Sequence, residues 1–381
     1  MRIAYVTVEE ILGPPNSGGI QCCNRNINLL KQAFGEENIF VCAITKDKKF
    51  LSKVGVNTRA FLSKCNKNLH SVLNSLNGRL LFEKEVENNV IEYIISLNCS
   101  IVFLEFSKMG SLQKRLPKNI KQVLFMHNIE INFIKHVLLR RPEYLLNVIP
   151  TLLSEKRAVK NADIIISLNK RDAALLEKCY KRRADIIIPI TIDDMDSALV
   201  VNENVNKCGI FQLLFVGSRF PSNEHGVKWF IEKVMPHANA EFTIVGKGFE
   251  KLANKLNRKN VKIIGTVDDL SQYYNRSNAV VSPILFGDGM KVKTAEALMY
   301  GKPMFATDEA LEGYEVEGQE NIFRCNTSKE FIEAINSFIA KTPHLSFDEK
   351  IRTLFLEKYY TPVYVQALRE LLNGKGQYGQ E

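Results

Sequence analysis

At 381 residues, with 45% hydrophobic and 24% charged side chains, the chain is long enough for two globular domains, each with its own core. No apolar run reaches the roughly 20 residues needed to span a bilayer, and the opening MRIAYVTVEE reads as a strand without a signal peptide's basic head, so a cytoplasmic protein is expected. Eight scattered cysteines without a C-x-x-C pair argue against a zinc site or a disulfide framework, and only Cys22 and Cys23, beside a glycine pair, are placed to touch a ligand.

The net charge of +9 is uneven. Residues 1–190 hold 29 Lys and Arg against 17 Asp and Glu, a net of +12, and the remainder nets −3. The first half is therefore expected to meet something anionic. No nucleic-acid motif accompanies the charge, and an anionic membrane surface fits it better.

In chain order, Arg2 to Val8 predicts a buried strand and Ile20 to Phe34 a helix, joined by a loop ending in Gly18 and Gly19. A glycine pair at the mouth of the first βα unit can admit a diphosphate to the helix N-terminus, and a plain flexible turn is the alternative. Asn38 to Thr45 predicts a second strand, and residues 46–77 show no clear period. Phe82 to Leu97 predicts a helix, and Ile101 to Phe106 and Gln122 to Met126 predict strands. The last of these runs into His127, beyond the carboxyl end of a strand, where ligands of open parallel sheets bind. Phe133 to Leu153 interleaves apolar residues with Lys135, Arg140 and Arg141; with the cluster Lys178, Lys181, Arg182 and Arg183 it is a candidate for membrane contact. Asp185 to Ile190 predicts a last strand.

The polar segment that follows reads as a linker, and its Asp194-Met195-Asp196 as a solvated acidic turn rather than a metal site. Strands and helices then alternate, which implies a second parallel sheet with right-handed crossovers. Gly246-Lys247-Gly248 lacks the third glycine of a dinucleotide fingerprint. Helical patterns from Thr327 to Ala340 and from Phe347 to Leu372 close the chain.

The stretch Phe286 to Thr307, FGDGMKVKTAEALMYGKPMFAT, organises the rest. It predicts a glycine-hinged loop running into a short helix, stopped by Gly301 and Pro303 and followed by a buried strand. Gly287 and Gly289 bracket Asp288 just before the first turn, where a ligand can approach the backbone and N–H groups favour an anion. Lys293 and Glu296, three apart, share a stripe; the plain reading is a surface ion pair.

This stretch resembles the donor-site signature of retaining GT-B glycosyltransferases, particularly family four, in which a Glu, seven residues and a second Glu precede an Ala, a Gly-Lys/Thr-Pro turn and a strand. The second Glu is Glu296, and the first position holds Asp288 instead. Gly217-Ser218-Arg219 resembles the family's Gly-Arg position, although the usual Lys before the next Gly is His225 here. His127 lies in a His-Asn/Asp-x-Glu run that the family often shows after this strand. The resemblance implies an α/β chain of two Rossmann-like, doubly wound domains facing across a cleft: residues 1–190 for the acceptor, a linker over 191–209, residues 210–345 for the nucleotide-sugar donor, and helices over 346–381 crossing back, with Phe355, Tyr359, Tyr360 and Val363 as packing residues.

It further implies a glycosyltransferase moving a sugar from a nucleotide diphosphate sugar to a hydroxyl on a lipid-linked or surface-polysaccharide intermediate, without a metal or other cofactor. His127, Asp288 and Lys293 are the catalytic candidates. Gly18, Gly19, Arg219, Thr266, Val267, Gly289, Met290, Lys293 and Glu296 are the donor-binding ones, with Thr266 and Val267 meeting the base through their backbone. If configuration is retained, the leaving phosphate can take the acceptor's proton; if it is inverted, His127 is the base. A nucleotide-sugar epimerase and a catalytically silent assembly partner are the alternatives.

Overall fold

The computed structural model describes residues 1–8, 11–12, 18–52, 55–63, 83–138, 142–194, 209–256, 258–287 and 289–374. Asp288, Met195, Asp196, Arg140, Arg141 and much of the 46–77 stretch lie outside the described residues.

The chain divides into two compact units, Met1–Pro189 with Pro362–Glu381, and Ile190–Thr361. In the first, β1 (Ile3–Thr7), β2 (Ile39–Thr45), β3 (Thr58–Leu62), β4 (Ile101–Glu105), β5 (Lys121–Met126), β6 (Ile164–Ser167) and β7 (Ile186–Ile187) form a parallel sheet in the order β3-β2-β1-β4-β5-β6-β7. In the second, β8 (Phe211–Val216), β9 (Ala240–Val245), β10 (Val261–Ile264), β11 (Ala279–Ser282), β12 (Met304–Ala306) and β13 (Ile322–Arg324) form another parallel sheet, ordered β10-β9-β8-β11-β12-β13. β1 and β4 are buried along their whole length, as strands covered on both faces must be. In each sheet the winding reverses once, between β1 and β4 and between β8 and β11, and such switch points are where open α/β sheets bind ligands.

Several expected elements shift. The first helix begins at Gly18 rather than Ile20, so the glycine pair forms its first turn instead of a preceding loop. The strand expected over 185–190 is only Ile186–Ile187, and β3 falls in the stretch that shows no sequence period. The C-terminal helical pattern is broken into Glu349–Lys358, a 3₁₀ turn Thr361–Tyr364 and Val365–Leu372. The first of these packs on helix Val292–Met299 within the second unit, where Arg352 donates to the Met299 carbonyl (2.8 Å) and pairs with Asp194 (2.5 Å). Phe355 and Tyr359 are accordingly buried in the second unit, and the return to the first begins only at Pro362, whose ring and missing N–H suit the break. There Arg369 donates to the Ala33 carbonyl (2.8 Å), pinning helix Val365–Leu372 to helix Gly18–Phe34.

Candidate functional site

Loops and helix starts at the carboxyl edge of the second sheet gather most of the sequence candidates. Helix Val292–Met299 turns Thr294, Ala295, Ala297, Leu298 and Met299 inward, which fixes its rotation and aims Lys293 and Glu296 to one side. The two do not form the surface pair that their spacing suggests. Lys293 Nζ donates to Asn223 Oδ1 at 2.5 Å and lies 4.8 Å from the centre of the Phe215 ring, while Glu296 accepts from the Tyr274 hydroxyl at 3.0 Å. Lys293 abuts the end of β8 so closely that a Cβ on Gly217 would stand 3.3 Å from its Nζ.

Burial governs the charges. Desolvation, helped by the neighbouring Lys291 ammonium and opposed by Glu296, pulls Lys293 down to about 7. The side chain retains some surface, so the ammonium is best seen as sheltered at a rim, where a bound anion would restore its proton. Desolvation likewise raises Glu296, with the Tyr274 hydrogen bond and Lys293 working the other way. Tyr274 is held in turn by stacking on Tyr300, their ring centroids 4.3 Å apart.

Other candidates surround this pair. Arg219 follows β8, but its Nε donates to Glu224 at 2.6 Å, and Lys228 reaches the same carboxylate at 2.5 Å. It must leave Glu224 to meet a phosphate. Gly289 adopts φ 67°, the left-handed region open to glycine, and delivers Met290 into the core, where its sulfur accepts from the Ile190 N–H at 3.5 Å. Met290 is therefore buried packing, and its backbone is the part left for a ligand. Lys291 is tied to Glu309 (2.7 Å) and to the Gly289 carbonyl (2.6 Å), which stiffens the loop before the helix. Thr266 and Val267 follow β10, two strands from β8 along the same edge.

A second cluster forms at the carboxyl edge of the first sheet. Glu105, the last residue of β4, is fully buried; its Oε1 accepts from the Tyr5 hydroxyl and from Asn26 Nδ2, each at 2.5 Å, and its Oε2 meets His127 Nε2. The imidazole lies flat against Phe106, centroids 4.0 Å apart. Burial alone would lower the His127 pKa, but Cys22, Glu105 and Cys23 together lift it well above its usual value. Cys23 completes a Cys-Glu-His group with metal-ligand chemistry. Burial pushes its thiol up to about 12, however, and Glu105 is already saturated, so the group fits a hydrogen-bonded network better than an ion. Glu130, in the same run as His127, pairs with Lys108 (2.9 Å), and its helix start is capped by the buried Glu155 carboxylate through the N–H groups of Glu130 (2.8 Å) and Ile131 (3.2 Å).

Sequence reading missed Asn223, Tyr274, Glu105, Tyr5 and Asn26, all of which hold a candidate in place. Their only local signal was a polar group on an otherwise inward face.

Residues 210–341 match the family model described as Glycosyl transferases group 1. The chain is similar over nearly its whole length to the sucrose-phosphate synthase of Thermosynechococcus elongatus (TM-score 0.74, 15% identity, 98% of each chain). It is also similar to Anabaena HepE in complex with UDP and glucose (0.70, 15%, 98% of this chain and 100% of that one) and to WaaG, a glycosyltransferase involved in lipopolysaccharide biosynthesis (0.68, 16%, 98% and 100%). Among curated sequences it is 20% identical over 292 residues, 71% of this chain and 73% of the relative, to an uncharacterized 44.6 kDa protein in the cps region of Klebsiella pneumoniae. Two parallel sheets flanked by helices give the chain the two-domain α/β fold of these glycosyltransferase structures, and its residues 210–341 form a Glycosyl transferases group 1 domain.

Proposed function

We propose that the protein transfers a sugar, with retention, from a nucleotide diphosphate sugar to a hydroxyl of a lipid-linked or surface-polysaccharide intermediate. The observation that carries this reading is Lys293, sheltered at the β8/β11 switch point, with Glu296 on the next turn of the same helix. A departing diphosphate is the difficult charge in such a reaction, and an ammonium preorganised by Asn223 stabilises it as the bond breaks. Backbone groups near Gly289 serve the same phosphates. Arg219 joins if it leaves Glu224. Asp288 would orient the sugar. No metal is needed for this electrostatic role. The resemblance of the Phe286 to Thr307 stretch to retaining GT-B enzymes supports retention. The complexes of HepE with UDP and UDP-glucose make uridine the first nucleotide to test, and the cps-region and lipopolysaccharide relatives support a glycan or glycolipid acceptor.

Glu296→Gln tests the reading. If the carboxylate binds the ribose hydroxyls, UDP affinity falls by about 1 to 3 kcal/mol, and 2′-deoxy-UDP, already weak on the parent, loses less. Calorimetric titration of both proteins with both nucleotides closes the cycle. Equal losses for the two nucleotides exclude Glu296 as the ribose clamp.

A further inference from the structure

Lys302 is a buried charge that the donor chemistry does not use. It follows the stop of helix Val292–Met299, is only 4% exposed, and donates from Nζ to two backbone carbonyls, Ser277 at 2.9 Å and Ser346 at 2.6 Å. Among the described residues no carboxylate pairs with it, and burial alone pulls it down to about 7. A buried ammonium without a counter-ion is costly, and what it contributes here is position. The link does not need the charge: a neutral amine keeps two N–H groups, one for each carbonyl.

Both ends of the link to Ser277 are rigid. The helix closes on Gly301, at φ 57°, with the Gly301 N–H on the Leu298 carbonyl and the Lys302 N–H on the Ala297 carbonyl, each at 3.0 Å, the paired bonds that end a helix in a left-handed glycine. Lys302 is thereby fixed to the helix that carries Glu296. Ser277 ends helix Ser271–Arg276, and both its N–H (3.1 Å) and its hydroxyl (2.9 Å) donate to the Tyr274 carbonyl. Tyr274 meets the Glu296 helix twice more, through its ring on Tyr300 and its hydroxyl on Glu296. Glu296, Tyr274, Ser277 and Lys302 therefore close a ring of contacts, with the tyrosine stack across its middle. Stacking is satisfied over a range of offsets, so the stack alone does not set where the Tyr274 hydroxyl comes to rest. The Lys302 link does.

We infer that Lys302 is a positioning residue for the donor site, which holds the Tyr274 hydroxyl against Glu296 and so sets how tightly the vicinal hydroxyls of the nucleotide's ribose are gripped. The inference rests on the reading of Glu296 as the ribose clamp. Lys302 acts through Tyr274 and Glu296, not by touching the nucleotide.

The test is calorimetric titration of the full chain with UDP and 2′-deoxy-UDP, or with GDP and 2′-deoxy-GDP if the parent prefers guanosine. It compares the parent, Lys302→Met, Tyr274→Phe and the double variant. Methionine keeps an unbranched side chain and removes the N–H groups. Lys302→Met is expected to weaken the ribonucleotide about three- to tenfold and the deoxynucleotide less. Added to Tyr274→Phe it should weaken neither further, because the hydroxyl that it positions is gone. A Lys302 that only holds the fold together predicts equal losses for the two nucleotides, or losses that add in the double variant. Either result overturns the inference, as does no loss at all. If Lys302→Met does not fold, Ser277→Ala opens the same ring one link further on and is held to the same two criteria. A 2′-hydroxyl-dependent effect of Glu296→Gln with none from Lys302→Met would remove Lys302 and leave the clamp. Equal losses under Glu296→Gln, or binding of neither nucleotide by the parent, would remove the clamp and this inference with it.

Discussion

Lys293 concentrates the chemistry in a single ionisation. Its folded pKa, about 7, lies below the roughly 10.4 of an unfolded lysine. Below pH 7 both states hold the proton, and the sheltered ammonium costs stability in full. Between those values the unfolded chain binds more protons, so the cost is relieved as pH rises. A donor diphosphate reverses the preference by favouring the ammonium. Donor binding near pH 8 is therefore expected to take up protons, with affinity falling by up to about tenfold per pH unit above 7. Calorimetry in buffers of different ionisation enthalpy measures the uptake, and Lys293→Met should abolish it. Turnover of Lys293→Ala should drop about 10²- to 10³-fold, the usual loss when one preorganised contact to a developing anion is removed; activity within threefold of the parent would return Lys293 to the rank of a surface residue. Tyr274→Phe is the subtler probe. It removes only the hydroxyl that holds Glu296, so donor affinity should fall by about 0.5 to 1.5 kcal/mol while the Tyr300 stack persists.

At the scale of elements, the site depends on how near helix Pro221–Lys233 comes to the loop after β11. Gly226 is the point of contact: a Cβ there would press into the Pro283 carbonyl oxygen. Helix propensity alone predicts that Gly226→Ala gains about 1 kcal/mol. The close approach predicts the opposite sign, a net loss of about 1 to 3 kcal/mol as for other overpacked sites. Because the same helix carries Asn223, the partner of Lys293, donor affinity should fall alongside. Denaturant titration decides between the two signs, and a stabilised variant would show that the helix moves freely.

Across the whole molecule, the uneven charge finds a physical companion in the first unit. Leu145, Leu146 and Ile149 are 66%, 84% and 63% exposed and lie together where the 3₁₀ turn Pro142–Asn147 enters helix Val148–Asn161. Pro150 falls in the first turn of that helix, where proline is tolerated. Part of the second basic cluster is already paired, Arg182 with Asp185 and Arg183 with Glu177. The apolar face beside Lys156 and Lys160 is thus the better membrane candidate. No helix of the described residues is long and apolar enough to cross a bilayer. Sedimentation with phosphatidylserine vesicles should weaken as salt shortens the screening length to roughly 10 Å at 0.1 M. It should also weaken in Leu146→Ser/Ile149→Ser. Equal binding to neutral vesicles, or none to either, would remove the proposal.

Local chemistry determined what the sequence by itself could say. Buried strands, the helix from Val292 to Met299 and its glycine and proline stop are written in neighbouring residues, and so was the resemblance that rests on them. Tertiary structure decided the partners. Lys293 and Asn223 are 70 residues apart, Glu296 and Tyr274 22, and His127 and Glu105 22, and no periodicity records which strand will lie beside which. The same holds for Arg25, whose helical position reads as an ordinary polar one until β5 covers it with Phe125. Spacing alone made Lys293 and Glu296 a pair; the packing of their helix on the sheet turned them to different partners, because side-chain direction follows from which face is buried and not from distance along the chain.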